Sequence, residues 1–516
     1  MSLQSYNAAT DFIDRHLGEG RGGKTAIIDD NGRYTYAELS ELVNRAADGL
    51  TQLGLVHETR IAQIMLDSID FPAVFWGGTK AGLVPVCINT LLTAEHYHYI
   101  LNDCRARALV ISAALLPVIE PILGELPYLQ HVIVSGGPAS PHLSLKTLLD
   151  NAEPAFNAVE THPDEIAFWL YSSGSTGMPK GVMHRHTSLR ATHDTYGRQV
   201  LGITEKDTVF SAAKLFFAYG LGNAMTFPLG EGATIVLMAG RPTPASVMEV
   251  MKRTNPTIFF GVPTLYAAML ADKACTRENG SNALRLCVSA GEALPEEVAR
   301  RWKERFGVDI IDGVGSTEML HIFLSNAPDN LRYGTSGCAV PGYNIRLVDE
   351  EGADVERGEI GEMIVDGPSA ANGYWNNRTK SRTTFAGTWT WTGDKYWQDE
   401  DGFYHICGRS DDMFKVSGIW VSPFEVEAAL ISHPSVVEAA VIPSEDDEKL
   451  VKPKAFVIFH EGIVFDDALA GELKDHVKAK AGGWKYPRWI VPVADLPKTA
   501  TGKIQRFKLR DLDRMA

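Results

Sequence analysis

Tyr171-Ser-Ser-Gly-Ser-Thr-Gly-Met-Pro-Lys-Gly181 lies in mid-chain, directly after the apolar run Ile166-Ala-Phe-Trp-Leu-Tyr171. Four small hydroxyl residues, Ser172, Ser173, Ser175 and Thr176, alternate with Gly174 and Gly177, and Lys180 follows. Glycines let a backbone fold tightly and come close to a ligand. Backbone N–H groups and hydroxyls then present donors to phosphate oxygens, and the lysine adds positive charge. The apolar run reads as a buried strand, so the loop leaves a strand end, where ligands usually bind in α/β proteins. A flexible Ser/Gly linker is the bland alternative. The neighbouring strand and the polar segment 184–193 argue against it. The pattern differs from the phosphate loop of Gly-x4-Gly-Lys-Ser/Thr form. Pro179 removes a donor, and Gly181 offers no hydroxyl to magnesium.

Around this loop the chain alternates strand-like and helical segments. The span 36–53 places Leu39, Leu42, Val43, Ala46, Ala47, Leu50 and Leu53 at helical spacing, and Gly54 closes it. Strands are predicted at 61–66, 84–88, 108–111, 131–134, 234–238, 257–260 and 286–289, which indicates α/β layers. Closer strand signals with Gly/Pro/Asp turns over 337–366 suggest a smaller β-rich subdomain. In the tail, Ser422-Pro-Phe-Glu425 reads as a capping box with proline at the first helical position, starting a helix toward Ile431. Strands at 436–442, 455–459 and 489–493 and a helix at 466–481 complete a compact α+β unit of roughly 100 residues. The fold class is therefore α/β: a large N-terminal domain, 1–410, of layered α/β subdomains plus a β-rich one, and a small α+β C-terminal domain, 411–516.

Composition narrows the function classes. A chain of 516 residues exceeds one typical core. Net charge of −15 argues against broad binding to nucleic acid or an anionic membrane. It also makes any lysine or arginine in a motif more telling. Cys87, Cys104, Cys275, Cys287, Cys338 and Cys407 form no Cys-x-x-Cys pair, so reduced thiols and a cytoplasmic location are expected. Residues 1–23 carry charges without an apolar core, unlike a signal peptide. The longest apolar candidate for a membrane span, 71–92, is interrupted by Lys80 and Pro85. Oligomeric state is not readable, and a homo-oligomer is compatible with the sequence.

Four further elements follow the loop: Gly313-Val-Gly-Ser-Thr-Glu-Met319, Thr392-Gly-Asp394, Gly408-Arg-Ser-Asp-Asp-Met-Phe-Lys-Val-Ser-Gly418 and Pro497-Lys-Thr-Ala-Thr-Gly-Lys503. Gly313-x-Gly315 alone would be a plain turn, and it lacks the third glycine of a dinucleotide fingerprint. Taken in order over nearly the whole chain, the five elements resemble the adenylate-forming superfamily: acyl- and aryl-CoA synthetases, peptide-synthetase adenylation domains and luciferases.

The resemblance implies roles residue by residue. Ser172, Ser173, Gly174, Ser175, Thr176 and Lys180 form the loop over the β- and γ-phosphates of ATP. Thr317 contacts the α-phosphate, and Glu318 holds Mg²⁺, a hard cation suited to carboxylate oxygens. Asp394 and Arg409 match the ribose contacts; Gly291, Glu292, Ala293, Asp312 and Gly313 match the adenine lining. Lys503 matches the catalytic lysine. A small mobile C-terminal domain turns about Asp411 between two half-reactions. Lys415, Ser417 and Gly418 then flank the pantetheine of coenzyme A.

Lys214-Leu-Phe-Phe-Ala-Tyr-Gly-Leu-Gly222 corresponds to the family's acid-pocket motif. Amino-acid-activating relatives carry an aspartate here, and a buried ammonium without a partner would be costly. Phe217, Ala218 and Tyr219 stand here instead, with Gly315, His321 and Ile322 as further walls. Ordinary core packing also accounts for most such aromatic clusters. His321 is equally a partner for a ring substituent and a satisfied structural histidine. The set looks most like benzoate–CoA ligases, including hydroxybenzoate ligases, so the implied partners are an aromatic carboxylic acid, ATP and CoA. Close alternatives are a stand-alone aryl-acid adenylating enzyme serving a separate carrier protein and a medium-chain or alicyclic acyl-CoA ligase. The chain ends shortly after Lys503, so a fused carrier is not expected; the acceptor is diffusible CoA or a separate carrier protein, with CoA favoured. Arg241, Lys252, Lys452 and Lys454 are candidates for its phosphates, though a solvated surface charge is the better guess for most.

Overall fold

A computed structural model describes residues 5–172, 178–410, 412–416, 419–483, 485–498 and 504–515 of the chain. Two large sheets dominate. The first runs Cys338–Ala339, Ile322–Ser325, Ile310–Gly315, Leu286–Ala290, Ile258–Gly261, Thr208–Ser211, Thr234–Val236, Thr25–Ile28 and Arg33–Thr35. Its centre is parallel and its margins antiparallel. The second runs Gly373–Tyr374, Lys180–Arg185, Ile166–Ser172, Val84–Cys87, Arg60–Ile64, Ala108–Ser112, His131–Ser135 and Leu143–Ser144.

A helical layer lies between these sheets. One continuous core joins Ala26 and Ile27 of the first sheet to Phe168 and Leu170 of the second through Leu39, Val43, Phe75 and Trp76. The helix Tyr36–Gln52 starts on a full capping box: Thr35 Oγ1 accepts from the Glu38 N–H, and the Glu38 carboxylate accepts from the Thr35 N–H. Two orphan donors are thereby satisfied together. Its apolar stripe meets the helix Asp70–Lys80, which buries Phe71, Phe75 and Trp76 completely. Each such side chain contributes about 1.5–3 kcal/mol of burial. Helices Pro244–Thr254, Pro263–Ala271 and Glu296–Phe306 cover the outer face of the first sheet. Helix Ala94–Cys104 covers that of the second. Layered α/β architecture is thus observed.

A five-stranded antiparallel sheet follows: Asn344–Val348, Gly361–Asp366, Trp389–Gln398 and Phe385–Ala386, with Tyr404–Arg409 on the long strand. It extends well beyond the 337–366 span read from turn spacing. Met363, Val365 and Tyr396 pack into the same core as Phe260, Val288 and Ile311 of the first sheet. The C-terminal α+β unit pairs Val436–Glu445, Val451–Phe459 and Trp489–Pro492, with helices Pro423–Ile431, Asp467–Ala481 and Arg506–Met515. The capping box expected at 422–425 is half made. Ser422 Oγ accepts from the Glu425 N–H, but the Glu425 carboxylate binds Lys485.

The two packed helices cross closely at Gly77, where an added Cβ would stand 2.6 Å from Ala46 Cβ and 2.9 Å from the Val43 carbonyl. Gly77→Ala should therefore cost ~1–3 kcal/mol by overpacking. Urea denaturation of variant and wild type checks this; an unchanged first transition would contradict the packing described.

Candidate active site

The glycine-rich loop joins a β-hairpin. Ile166–Ser172 and Lys180–Arg185 pair antiparallel, with Ser172 opposite Lys180 and Tyr171 opposite Gly181. The second strand is missing from the sequence reading, which left 184–193 as a polar segment. Within the loop, Ser173, Gly174, Ser175 and Thr176 lie outside the described residues. Ser172 Oγ is buried and has no partner among the described residues. Lys180 is half-buried, its Nζ 4.7 Å from the centroid of the Tyr374 ring. Burial lowers its pKa; the Glu318 carboxylate acts against this, and Lys380 and Arg409 act with it.

Glu318 reaches the same place from the other large sheet. Strand Ile310–Gly315 ends in a tight turn in which Leu320 takes φ +64°, a sterically costly angle for a leucine. Gly315 permits this turn, since a Cβ there would lie 2.5 Å from the His321 carbonyl. The turn presents Thr317, half-exposed, and Glu318, whose carbonyl accepts from the Ala371 N–H at 2.8 Å. Tyr374 Oη donates to Glu318 Oε1 at 2.8 Å. Glu318 Oε2 has no hydrogen-bond partner among the described residues.

The candidate nucleoside residues gather beside this turn. Ser289 and Ala290 pair with Asp312 and Gly313, which sets Gly291 (φ +96°), Glu292 and Ala293 just past the edge of that pair. Asp394 and Arg409 face each other across Trp389–Gln398 and Tyr404–Arg409, and Arg409 Nη1 donates to Asp394 Oδ1 at 3.0 Å. A Cβ at Gly393 would lie 2.8 Å from the Arg409 guanidinium, so glycine allows that approach. Asp312 is buried, and its Oδ2 accepts from the Leu294 N–H at 3.3 Å. Burial raises its carboxyl pKa to about 8.

Of the candidate acid residues, Tyr219 and Ile322 share one core and Tyr219 touches His321, while Phe217 and Ala218 pack against the core between the large sheets. Phe217 starts the short helix Ala218–Leu221, with Phe216 and Phe217 ring centroids 4.4 Å apart. Gly220 is required by the Lys214 carbonyl, 2.0 Å from any added Cβ, and Gly222 by the His321 ring at 2.2 Å. His321 Nε2 bonds the Tyr219 carbonyl at 3.2 Å, and the ring lies against Tyr196, Tyr219 and Phe227. Burial lowers the His321 pKa to about 3, so the ring is neutral at physiological pH. Tyr219 Oη donates toward the Gly261 and Val288 carbonyls, and Ile322 packs against Gly313. His321 is thereby the joint between the two turns.

Lys503, Asp411, Ser417 and Gly418 lie outside the described residues, as does the side chain of Lys415, which belongs to the strand Phe414–Val416. Among the CoA candidates, Lys454 is committed to Asp513. Two residues were missed from sequence: Tyr374, an aromatic that reads as core, and Leu320, whose backbone angle has no sequence signal.

The AMP-binding enzyme family matches residues 14–375, and the AMP-binding enzyme C-terminal domain matches 425–503. This chain belongs to the AMP-binding enzyme family. It is 57% identical over 509 residues to a benzoate–CoA ligase of Thauera aromatica, covering 98% of this chain and 96% of that protein. It is 54% identical over 513 residues to a 4-hydroxybenzoate–CoA/benzoate–CoA ligase of Rhodopseudomonas palustris, covering 99% and 95%. Among solved structures, the anthranilate CoA ligase AuaEII in complex with anthranoyl-AMP matches with a TM-score of 0.95 at 45% identity, covering 100% of this chain and 98% of that one.

Asp312 provides a test of the site's electrostatics. Its pKa is raised from 3.8 to about 8, so the folded chain keeps a proton that the unfolded chain has released. That stability is full below pH 3.8 and is lost as pH rises through the folded value. Asparagine cannot ionise. The stability of Asp312→Asn relative to wild type should therefore grow between pH 5 and pH 8 in urea denaturation. A pH-independent difference would contradict the burial described.

Proposed function

We propose that this chain is an ATP-dependent aryl-CoA ligase acting on benzoate or a substituted benzoate through an aryl-adenylate. The observation that carries the reading is a juxtaposition: Glu318 and Arg409 act on Lys180, and the turn that carries Glu318 runs straight into His321, packed among Tyr196, Tyr219 and Phe227, with no acidic side chain at 217–222. The two benzoate-type relatives, similar over nearly the full chain, support it.

In the first half-reaction a carboxylate oxygen of the aryl acid attacks the α-phosphorus of ATP, and pyrophosphate leaves. Two anions must approach, so positioning and positive charge carry the catalysis. Phe217, Ala218, Tyr219, Gly315, His321 and Ile322 hold the ring. Lys180 and the loop residues Ser172 to Thr176 bind the β- and γ-phosphates, and Thr317 binds the α-phosphate. Gly291, Glu292, Ala293, Asp312 and Gly313 line the adenine, and Asp394 and Arg409 hold the ribose hydroxyls. Lys503 neutralises charge between carboxylate and α-phosphate.

Glu318 fits a magnesium ligand. Mg²⁺ takes one or two carboxylates together with substrate phosphates and water, and Glu318 keeps one carboxylate oxygen without a partner among the described residues. Bound there, the ion would neutralise phosphate charge. Among the described residues no group of three or more His, Cys, Asp or Glu side chains forms a self-sufficient cage.

In the second half-reaction the small domain, 411–516, turns about Asp411 and brings Lys415, Ser417 and Gly418 to the pocket mouth. The CoA thiolate attacks the acyl carbon, and AMP leaves with the oxygen that came from the acid. A free thiol of pKa about 8.5 supplies enough thiolate near neutrality without a dedicated base.

With ATP, Mg²⁺ and CoA, benzoate or 4-hydroxybenzoate should drive AMP release with kcat/KM at least ~10-fold above a medium-chain fatty acid, the discrimination a shaped pocket can supply. A fatty acid matching benzoate would overturn the aryl assignment. Lys503→Ala should abolish aryl-AMP formation yet largely spare thioester formation from supplied aryl-AMP. Equal loss of both steps would refute the role of Lys503.

A further inference from the structure

Tyr374 belongs to none of the motifs that point to the site, yet it touches two of the site's charged groups. It sits in the two-residue strand Gly373–Tyr374, opposite Val182 of the hairpin that carries Lys180. Its backbone is fixed: the Tyr374 N–H donates to Ser381 Oγ at 2.9 Å, and the next residue's N–H donates to the Gly181 carbonyl at 2.8 Å. Only 5% of the residue is exposed. The hydroxyl donates to Glu318 Oε1, and the ring face lies under the Lys180 ammonium.

We propose that Tyr374 is a positioning residue of the phosphate site, its hydroxyl orienting the Glu318 carboxylate for the cation and its ring seating Lys180 for the triphosphate. The inference rests on the ligase reading above and deepens it. A buried hydroxyl needs a partner. A carboxylate acceptor makes the bond charge-assisted, hence short and directional. With one oxygen held, Glu318 keeps the other for a cation in a fixed direction. Outer partners of this kind commonly tune metal affinity by about 10- to 100-fold. The aromatic face attracts the ammonium without carrying a net charge of its own, so it seats Lys180 without neutralising it.

Two substitutions separate the two contacts. Tyr374→Phe keeps the ring and removes the donor; Tyr374→Leu removes both. Mn²⁺ binding to the enzyme–ATP complex, read by paramagnetic resonance of the free ion, measures the site without turnover. Tyr374→Phe should weaken Mn²⁺ binding ~10-fold. Its aryl-AMP formation should recover as Mg²⁺ is raised, and thioester formation from supplied aryl-AMP should stay within twofold of wild type. Tyr374→Leu should further raise the KM for ATP. Unchanged Mn²⁺ binding in Tyr374→Phe, or an equal loss in both half-reactions at every Mg²⁺ concentration, would overturn the proposal. Glu318→Gln run alongside distinguishes the failures. If it too leaves Mn²⁺ binding unchanged, the metal role of Glu318 falls and Tyr374's role with it. If it alone weakens binding, only the role of Tyr374 is lost.

Discussion

Glu318 ties the two large sheets together at the point where the candidate site residues meet. Its main chain follows a strand of the first sheet, and its carbonyl accepts the Ala371 N–H on the approach to the second. Its side chain accepts the Tyr374 hydroxyl from the margin of that second sheet. Just beyond, Ser369 Oγ donates to the Met319 carbonyl. One short turn is thus pinned by backbone and side chain to a separate layer. The costly backbone angle at Leu320 persists because these surroundings over-determine it. Lys180, Thr317 and His321 all take their places relative to this tie.

Charge and burial divide the site into two halves. The chain as a whole is strongly acidic, yet two cations, Lys380 and Arg409, act on Lys180 together with the Glu318 carboxylate. Partial burial strengthens such interactions and makes the lysine easier to neutralise. On the acid side, His321 is neutral, locked to the Tyr219 carbonyl and surrounded by aromatic rings. One half is thus charged and partly exposed, and the other is aromatic, buried and uncharged.

Sequence made the layers legible because their cues are local. The stripe of Leu39, Val43 and Leu50 with Gly54 beyond it marks one helix, and the run 166–171 marks one strand. Fixed-order motifs mark Glu318, Asp394 and Arg409. Lys180–Arg185 was less readable: a strand bearing Lys180, His184 and Arg185 alternates poorly, and only pairing on both sides makes it a strand. Tyr374 was invisible for a different reason. An aromatic residue in sequence cannot show whether its hydroxyl meets water, a carbonyl or, as here, the carboxylate of a residue fifty-six positions away. The reciprocal cap at Ser422 failed because Glu425 found a stronger partner in Lys485.

Oxygen tracing tests the central claim, that an aromatic carboxylate displaces pyrophosphate to form a mixed anhydride with AMP. Benzoate labelled with ¹⁸O at both carboxylate oxygens, turned over with ATP, Mg²⁺ and CoA, should deliver one labelled oxygen to each AMP released and none to pyrophosphate. Unlabelled AMP, or label in inorganic phosphate alongside ADP, would contradict it.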